Sequence, residues 1–151
     1  MTPKEPVQLL DAKDVLPALA EDIHQEPHIK LWCYTVEPNF FERTFLRGRD
    51  GMRTSVILDY RQRARLNQFF NTHPGLEIRH WQRNRTQHDK TIICAYTRVV
   101  WITTSNLHRG SFMLANNRAL RITVDSVFTK CLTQFNDQWK ISELVEEAPH
   151  Q

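Results

Sequence analysis

At 151 residues, with 40% hydrophobic and 25% charged residues, the chain has the size and composition of one globular domain and is neither disordered nor fibrous. No apolar run approaches the roughly 20 residues that a membrane helix needs, and the acidic, amphipathic start lacks a signal-peptide core, so a cytoplasmic or other intracellular protein is expected. The net charge of +3 is unevenly spread: residues 40 to 125 carry 15 Lys/Arg against 6 Asp/Glu, and both flanks are acidic.

In chain order, residues 13–25 place apolar side chains at helical spacing, with Asp14 as a cap ahead of Val15. Residues 28–36 read as a buried strand. Residues 38–49 read as a helix with Pro38 near its start and Gly48 near its end. A second strand is predicted over 52–60, a second helix over 61–73 stopped by Pro74 and Gly75, and a third strand over 76–81. A polar loop then leads to strands at 88–96 and 99–105, joined by a tight turn at Thr97 and Arg98, and to a sixth strand at 118–124. A closing helix follows over 125–144, which Asp125 or Ser126 can cap. Alternating strands and helices in the first half imply parallel strands with right-handed crossovers, and the pair at 88–105 reads as a hairpin. The expected fold is α/β, a mixed β-sheet flanked by helices on both faces. It forms one domain over 1–151, with an N-terminal helical segment at 1–27 and a core at 28–145.

The central basic field suits a polyanion such as DNA or RNA. Cys33, Cys94 and Cys131 are odd in number and show no C-x-x-C spacing, which favours buried small hydrophobes over disulfides or zinc. No histidine spacing suggests a metal, and no cofactor is expected.

The chemistry is concentrated at residues 88–107. His88 and Lys90 stand two apart in a predicted strand, so both side chains leave the same face. Thr103, Thr104, Ser105 and Asn106 end the next strand. In a hairpin, that end lies beside His88 and Lys90. An imidazole, an ammonium, an amide and several hydroxyls then converge, a set that suits a phosphate and its displacement. Trp81, Arg83 and Arg85 just before His88, and Arg109 beyond the asparagine, are candidates for stacking on bases and contacting the backbone.

The H-x-K, the apolar strand, the turn and the hydroxyl-rich loop with Asn106-Leu107 resemble the signature of the phospholipase D superfamily. The aspartate of that signature falls on Ala95, and its Gly-Ser pair on Thr103 and Thr104. In both respects the chain is similar to the tyrosyl-DNA phosphodiesterase branch, which Tyr96, Arg98 and Thr104-Ser105-Asn106-Leu107 also resemble. The N-x-E found in many members is matched only by Asn117-Arg118-Ala119, without the acid. The resemblance implies a metal-independent phosphodiesterase on nucleic acid, acting through a phosphohistidine with His88, Lys90 and Asn106 as catalytic residues. It implies two copies of the motif per site. This chain carries one, because His28-Ile29-Lys30 stands at the head of the first predicted strand and lacks the trailing asparagine loop. A homodimer that completes the site, with no membrane partner, is therefore expected. The alternative is a catalytically inactive binding module with the same fold. His80 is expected to face solvent, His73 to close a helix, and His108 to lie on the rim of the site.

Overall fold

The computed structural model of the protein describes residues 5–82, 89–104, 106–107, 110–111 and 117–144. The elements follow as β1 (Val7–Asp11), α1 (Ala12–Gln25), β2 (His28–Cys33), α2 (Pro38–Phe41) running into a π-helical turn (Glu42–Leu46), and β3 (Arg53–Leu58). Then come 3-10 turns at Tyr60–Gln62 and Asn67–Phe69, β4 (Leu76–His80), β5 (Thr91–Cys94), β6 (Val99–Thr103), β7 (Arg118–Ile122), α3 (Asp125–Ile141) and β8 (Glu143–Leu144). Among the described residues, eight strands form one mixed sheet in the order β1-β7-β6-β5-β2-β3-β4-β8. β2, β3 and β4 are parallel, and every other pairing is antiparallel.

The sequence explains the layering. β2, β3 and β5 are largely buried on both faces, with apolar runs in Leu31–Cys33, Val56–Leu58 and Ile92–Cys94, because helices cover both sides of the sheet there. On one face, Val15, Leu19 and Ile23 of α1 pack with Phe41 and Phe45 over Leu31, Val56, Ile92 and Trp101. On the other, Phe128 and Phe135 of α3 cover Trp32, Ile57, Ile93 and Val100. Cys33 and Cys94 are buried among these apolar residues as free thiols, and burial raises both above the usual thiol range. Among the described residues, no helix is long and apolar enough to cross a membrane.

Four expectations are corrected. The segment 1–27 begins with a strand: Val7–Asp11 pairs with β7, from Val7 opposite Ile122 to Asp11 opposite Arg118. The predicted helix over 61–73 is two 3-10 turns. Its apolar residues span little more than one turn, only Leu66 and Phe69 are buried, and the Asp59 carboxylate accepts the Arg61 N–H (3.0 Å), closing a local turn that competes with helix. The closing helix ends at Ile141, and the chain adds a short strand beside β4. Neither helix has the expected cap: Asp14 lies within the first turn of α1, and α3 starts at Asp125 with no side-chain cap.

Two buried ion networks absorb part of the basic charge. Arg121 donates to both oxygens of Asp22 (2.7 and 3.1 Å), and the Trp101 indole donates to the same carboxylate (2.8 Å), tying α1 to β6 and β7. The Arg49 guanidinium, 5% exposed, donates to the carbonyls of Phe45 (2.6 Å), Glu26 (2.7 Å) and Arg53 (3.1 Å) and to the Thr54 hydroxyl (2.6 Å). The fully buried Glu26 carboxylate in turn accepts the N–H groups of His28 (2.8 Å), Tyr96 (3.0 Å) and Thr97 (2.8 Å) and the Thr97 hydroxyl (3.0 Å). It thereby satisfies the turn between β5 and β6, where Arg98 adopts a left-handed conformation (φ 61°).

Candidate active site

After β2 the chain builds β3 and β4 on one side. It then returns to place β5 on the other side of β2. That reversal makes the carboxyl end of β2 a topological switch point, and a ligand crevice beyond it is what the general rule for open α/β sheets leads one to expect. Lys90 immediately precedes β5 and so stands at this edge. β5 and β6 form the expected hairpin, with Thr91 opposite Ile102, and one further step of that register sets Lys90 opposite Thr103. Both side chains belong to the face shared by Ile92 and Trp101, the α1 side.

The asparagine loop is held at the same edge. The Leu107 N–H donates to Thr35 O (3.1 Å) and the Glu37 N–H to Leu107 O (2.9 Å), which fixes residues 106–107 beyond the end of β2. The buried Ser111 joins the two asparagines: its Oγ accepts the Asn106 N–H (3.0 Å), while its carbonyl and its Oγ (3.4 Å) accept from the Asn117 amide. The Thr104 hydroxyl donates to Asn117 Oδ1 (3.3 Å). Asn106 Oδ1 is shielded from solvent and accepts no hydrogen bond among the described residues. A buried carbonyl oxygen without a donor is costly.

Lys90, Thr103, Thr104 and Asn106 are therefore brought to one sheet edge. His88, Ser105, Arg83, Arg85, Arg109 and His108 lie outside the described residues. Trp81 is half-buried against the α3-side core, and its N–H donates to Leu58 O (2.8 Å). Arg79 turns away from the crevice, with its guanidinium 4.7 Å from the Trp139 ring and donating to Trp139 O (2.8 Å). His80 is buried and packs edge-on against Tyr60, contrary to the solvent-facing expectation. His73 packs edge-on against Phe69 with no α-helix to close.

Sequence reasoning missed Ser111 and did not recognise Asn117 as a partner of the Asn106 loop. The only signal was the incomplete N-x-E match that begins at Asn117. The structure also separates the two missing acids. Ala95 lies in the β5–β6 turn at the far edge of the sheet, whereas Ala119 is buried directly opposite Thr103. Tyr96, in the same distant turn, is 78% exposed.

His28 and Lys30 are in β2, with His28 at the far edge, opposite to Lys90. The His28 ring lies 2.9 Å from the Ser55 hydroxyl, and Lys30 donates to Asn136 Oδ1 (2.7 Å). Burial, reinforced by Arg53, lowers the His28 pKa to about 4. Its unfolded-state value is near 6.5, so between pH 6.5 and 4 the unfolded chain binds the proton that the folded chain refuses. Stability is unaffected above that window and falls as the pH drops through it. After allowance for solvent screening of a half-buried ring, the expected loss is about 1–2 kcal/mol. Urea unfolding at pH 7 and pH 4.5 should show it, and His28→Gln should shrink the difference.

No family model and no curated protein matches the sequence. Solved structures do. NucT from Helicobacter pylori superposes with a TM-score of 0.77 at 13% identity, over 91% of this chain and 98% of that one. The phospholipase D family member Nuc from Salmonella typhimurium gives 0.73 at 15% identity, over 91% and 96%. TrmBL2, described as an archaeal chromatin protein with a novel mode of DNA binding, gives 0.62 at 15% identity, over 95% of this chain and 55% of that one. The chain has the phospholipase D-like fold.

Proposed function

We propose that this phospholipase D-fold chain is a metal-independent phosphodiesterase that cleaves nucleic acid, as a nuclease or by removing an adduct from a strand end. The observation that carries the reading is the convergence of Lys90, Thr103 and the Asn106–Ser111–Asn117–Thr104 network at the β2/β5 crevice, two residues after His88. Lys90 would balance charge on the non-bridging oxygens, and the hydroxyls and amides would orient them. A His88 ring nitrogen attacks phosphorus; the P–N bond forms as the P–O bond to the leaving group breaks. The His88 of a second copy protonates the departing oxygen. Water, deprotonated by that same second histidine, then attacks phosphorus, releasing His88 and a phosphate monoester.

One chain supplies a single H-x-K followed by an asparagine loop, so the site is completed by an isologous dimer. A row of apolar side chains crosses the α3-side face of the sheet, opposite to the face of Lys90 and Thr103, and is left partly uncovered: Leu9 opposite Leu120, and Leu120 opposite Ile102, with Leu9 62% and Ile102 39% exposed. Such a row supports a second copy as its cover.

Labelled single-stranded DNA and RNA should be cleaved in excess EDTA by a species sedimenting at twice the chain mass. An acid-labile, base-stable phosphate adduct should be trapped on the protein. Cleavage that stops in EDTA, or an adduct that survives in His88→Ala, would sink the mechanism. The second reading, a catalytically silent nucleic-acid-binding module, is favoured by one observation, the apolar Ala119 facing Thr103 where the family acid is missing. It predicts salt-sensitive binding, unchanged by His88→Ala, and no cleavage.

A further inference from the structure

The His28-Ile29-Lys30 segment plays no part in the candidate active site, yet β2 and β3 gather other polar groups around it. The side chains of His28 and Lys30 leave β2 on the same face as Trp32, the α3 side. Arg53 and Ser55 leave β3 on that face too, in step with Ile57. The parallel register sets Arg53 beside His28 and Ser55 beside Lys30. His28 Nε2 lies 2.9 Å from the Ser55 hydroxyl, and Lys30 Nζ donates to Asn136 Oδ1 of α3 (2.7 Å). His28 and Lys30 are partly exposed, and Arg53 is exposed. Among the described residues, no carboxylate stands within ion-pair distance of Lys30 or Arg53. The Glu26 carboxylate is occupied by backbone N–H groups and the Thr97 hydroxyl. Glu77, beside Ser55 on β4, faces Arg79 (3.7 Å). Burial, reinforced by Arg53, holds the Lys30 ammonium below its ordinary pKa.

This cluster is rich in donors. Lys30 gives one of its three N–H groups to Asn136, and the Arg53 guanidinium donates to no described group. In the tautomer where Ser55 donates to His28 Nε2, Nδ1 is a further donor. An ammonium, a guanidinium fork and a ring N–H around one point suit an anion with several oxygens and more than one charge. We infer that His28, Lys30 and Arg53 form a phosphate-binding site on the α3 face of the sheet, separate from the candidate active site. It lies at the amino end of β2, about 16 Å along the strand from Cys33, and on the face opposite to Lys90 and Thr103. Its ligand is a phosphate group, carried by a free phosphate or monoester or by the backbone of a nucleic acid. The inference does not rest on the phosphodiesterase reading and involves no cleavage.

The test adds inorganic phosphate to the full-length protein at constant pH and ionic strength, with chloride and acetate as controls. The readout is the His28 ring signal in a proton–carbon NMR spectrum, identified by its absence from His28→Gln. Phosphate should move that signal saturably, and neither control should. Arg53→Gln should weaken the apparent phosphate affinity about tenfold, the loss expected for one charged donor. Its side chain is exposed and bonds to no described group, so the thermal midpoint without phosphate should not change. Arg53→Lys should recover part of the affinity, and Lys30→Met should lose as much as Arg53→Gln. Oligo-dT without terminal phosphates, added to protein carrying His88→Ala, distinguishes the two sources. It moves the same signal where the site takes a backbone phosphate, and leaves it in place where the site takes a free phosphate or a monoester. A His28 signal that ignores phosphate overturns the site. So does an equal response in the wild type, Arg53→Gln and Lys30→Met, or an equal response to acetate or chloride.

Discussion

Lys90→Ala is expected to lower kcat/KM for nucleic-acid cleavage by about 10³-fold while leaving the fold intact. The magnitude follows from position and charge. Lys90 is a described cation at this sheet edge, in register with the Thr103 position, and a positioned donor to a developing oxyanion is worth about 10²–10³ in rate. In the proposed dimer the substitution removes two such cations at once. The side chain stands on the rim, before β5 begins, so little apolar packing is lost. Lys90→Arg keeps the charge but replaces a compact ammonium with a longer planar fork, and should recover only part of the rate. Steady-state cleavage in EDTA, with circular dichroism on the same samples, checks both. A loss of less than tenfold for Lys90→Ala would place the chemistry elsewhere.

The second large effect is on stability and arises at the opposite edge. Glu26→Ala should destabilise the protein by about 3 kcal/mol or more, read as a shift in the urea midpoint at constant m. The buried carboxylate accepts three backbone N–H groups and a hydroxyl, and its charge faces the buried Arg49. Alanine leaves those donors without acceptors and the guanidinium without its counter-charge. Glu26→Gln should help little, since its NH2 group would point at the N–H groups of Tyr96 or Thr97. The fraction that remains folded should cleave normally, because this turn lies at the other end of β5 from Lys90.

Much of this architecture was legible in the sequence. The strands over 28–33, 53–58, 76–80, 91–94, 99–103 and 118–122 announce themselves by apolar runs or alternation between clear breakers. The β5–β6 hairpin that unites Lys90 with Thr103 follows from two such runs and a turn. What escaped depended on pairing at a distance. Val7–Asp11 becomes a strand because β7 is there to receive it, over a hundred residues away. Glu143–Leu144 forms a strand only where α3 delivers it to β4. The helix expected over 61–73 failed because arginines carry helix propensity in isolation, whereas Asp59, Tyr34 and Tyr60 offer them better local partners. Ser111 was invisible for a similar reason: a lone serine in a loop gives no hint that it will bind two asparagines.

The fourth of eight strands, β5, is the seam of the sheet. On one side it meets the parallel unit made by the first half of the chain, and on the other the antiparallel unit made largely by the second. Peeling off β1 or β8 would cost the molecule only an edge, but freeing Ile92 and Ile93 would split both apolar layers together. The backbone amides of those two residues should therefore be among the slowest to exchange with deuterated solvent, opening only when the whole molecule does. Lys90 is thus anchored to the last part of the protein to yield. As the chain is warmed, the edges should fray well before the lysine loses its place.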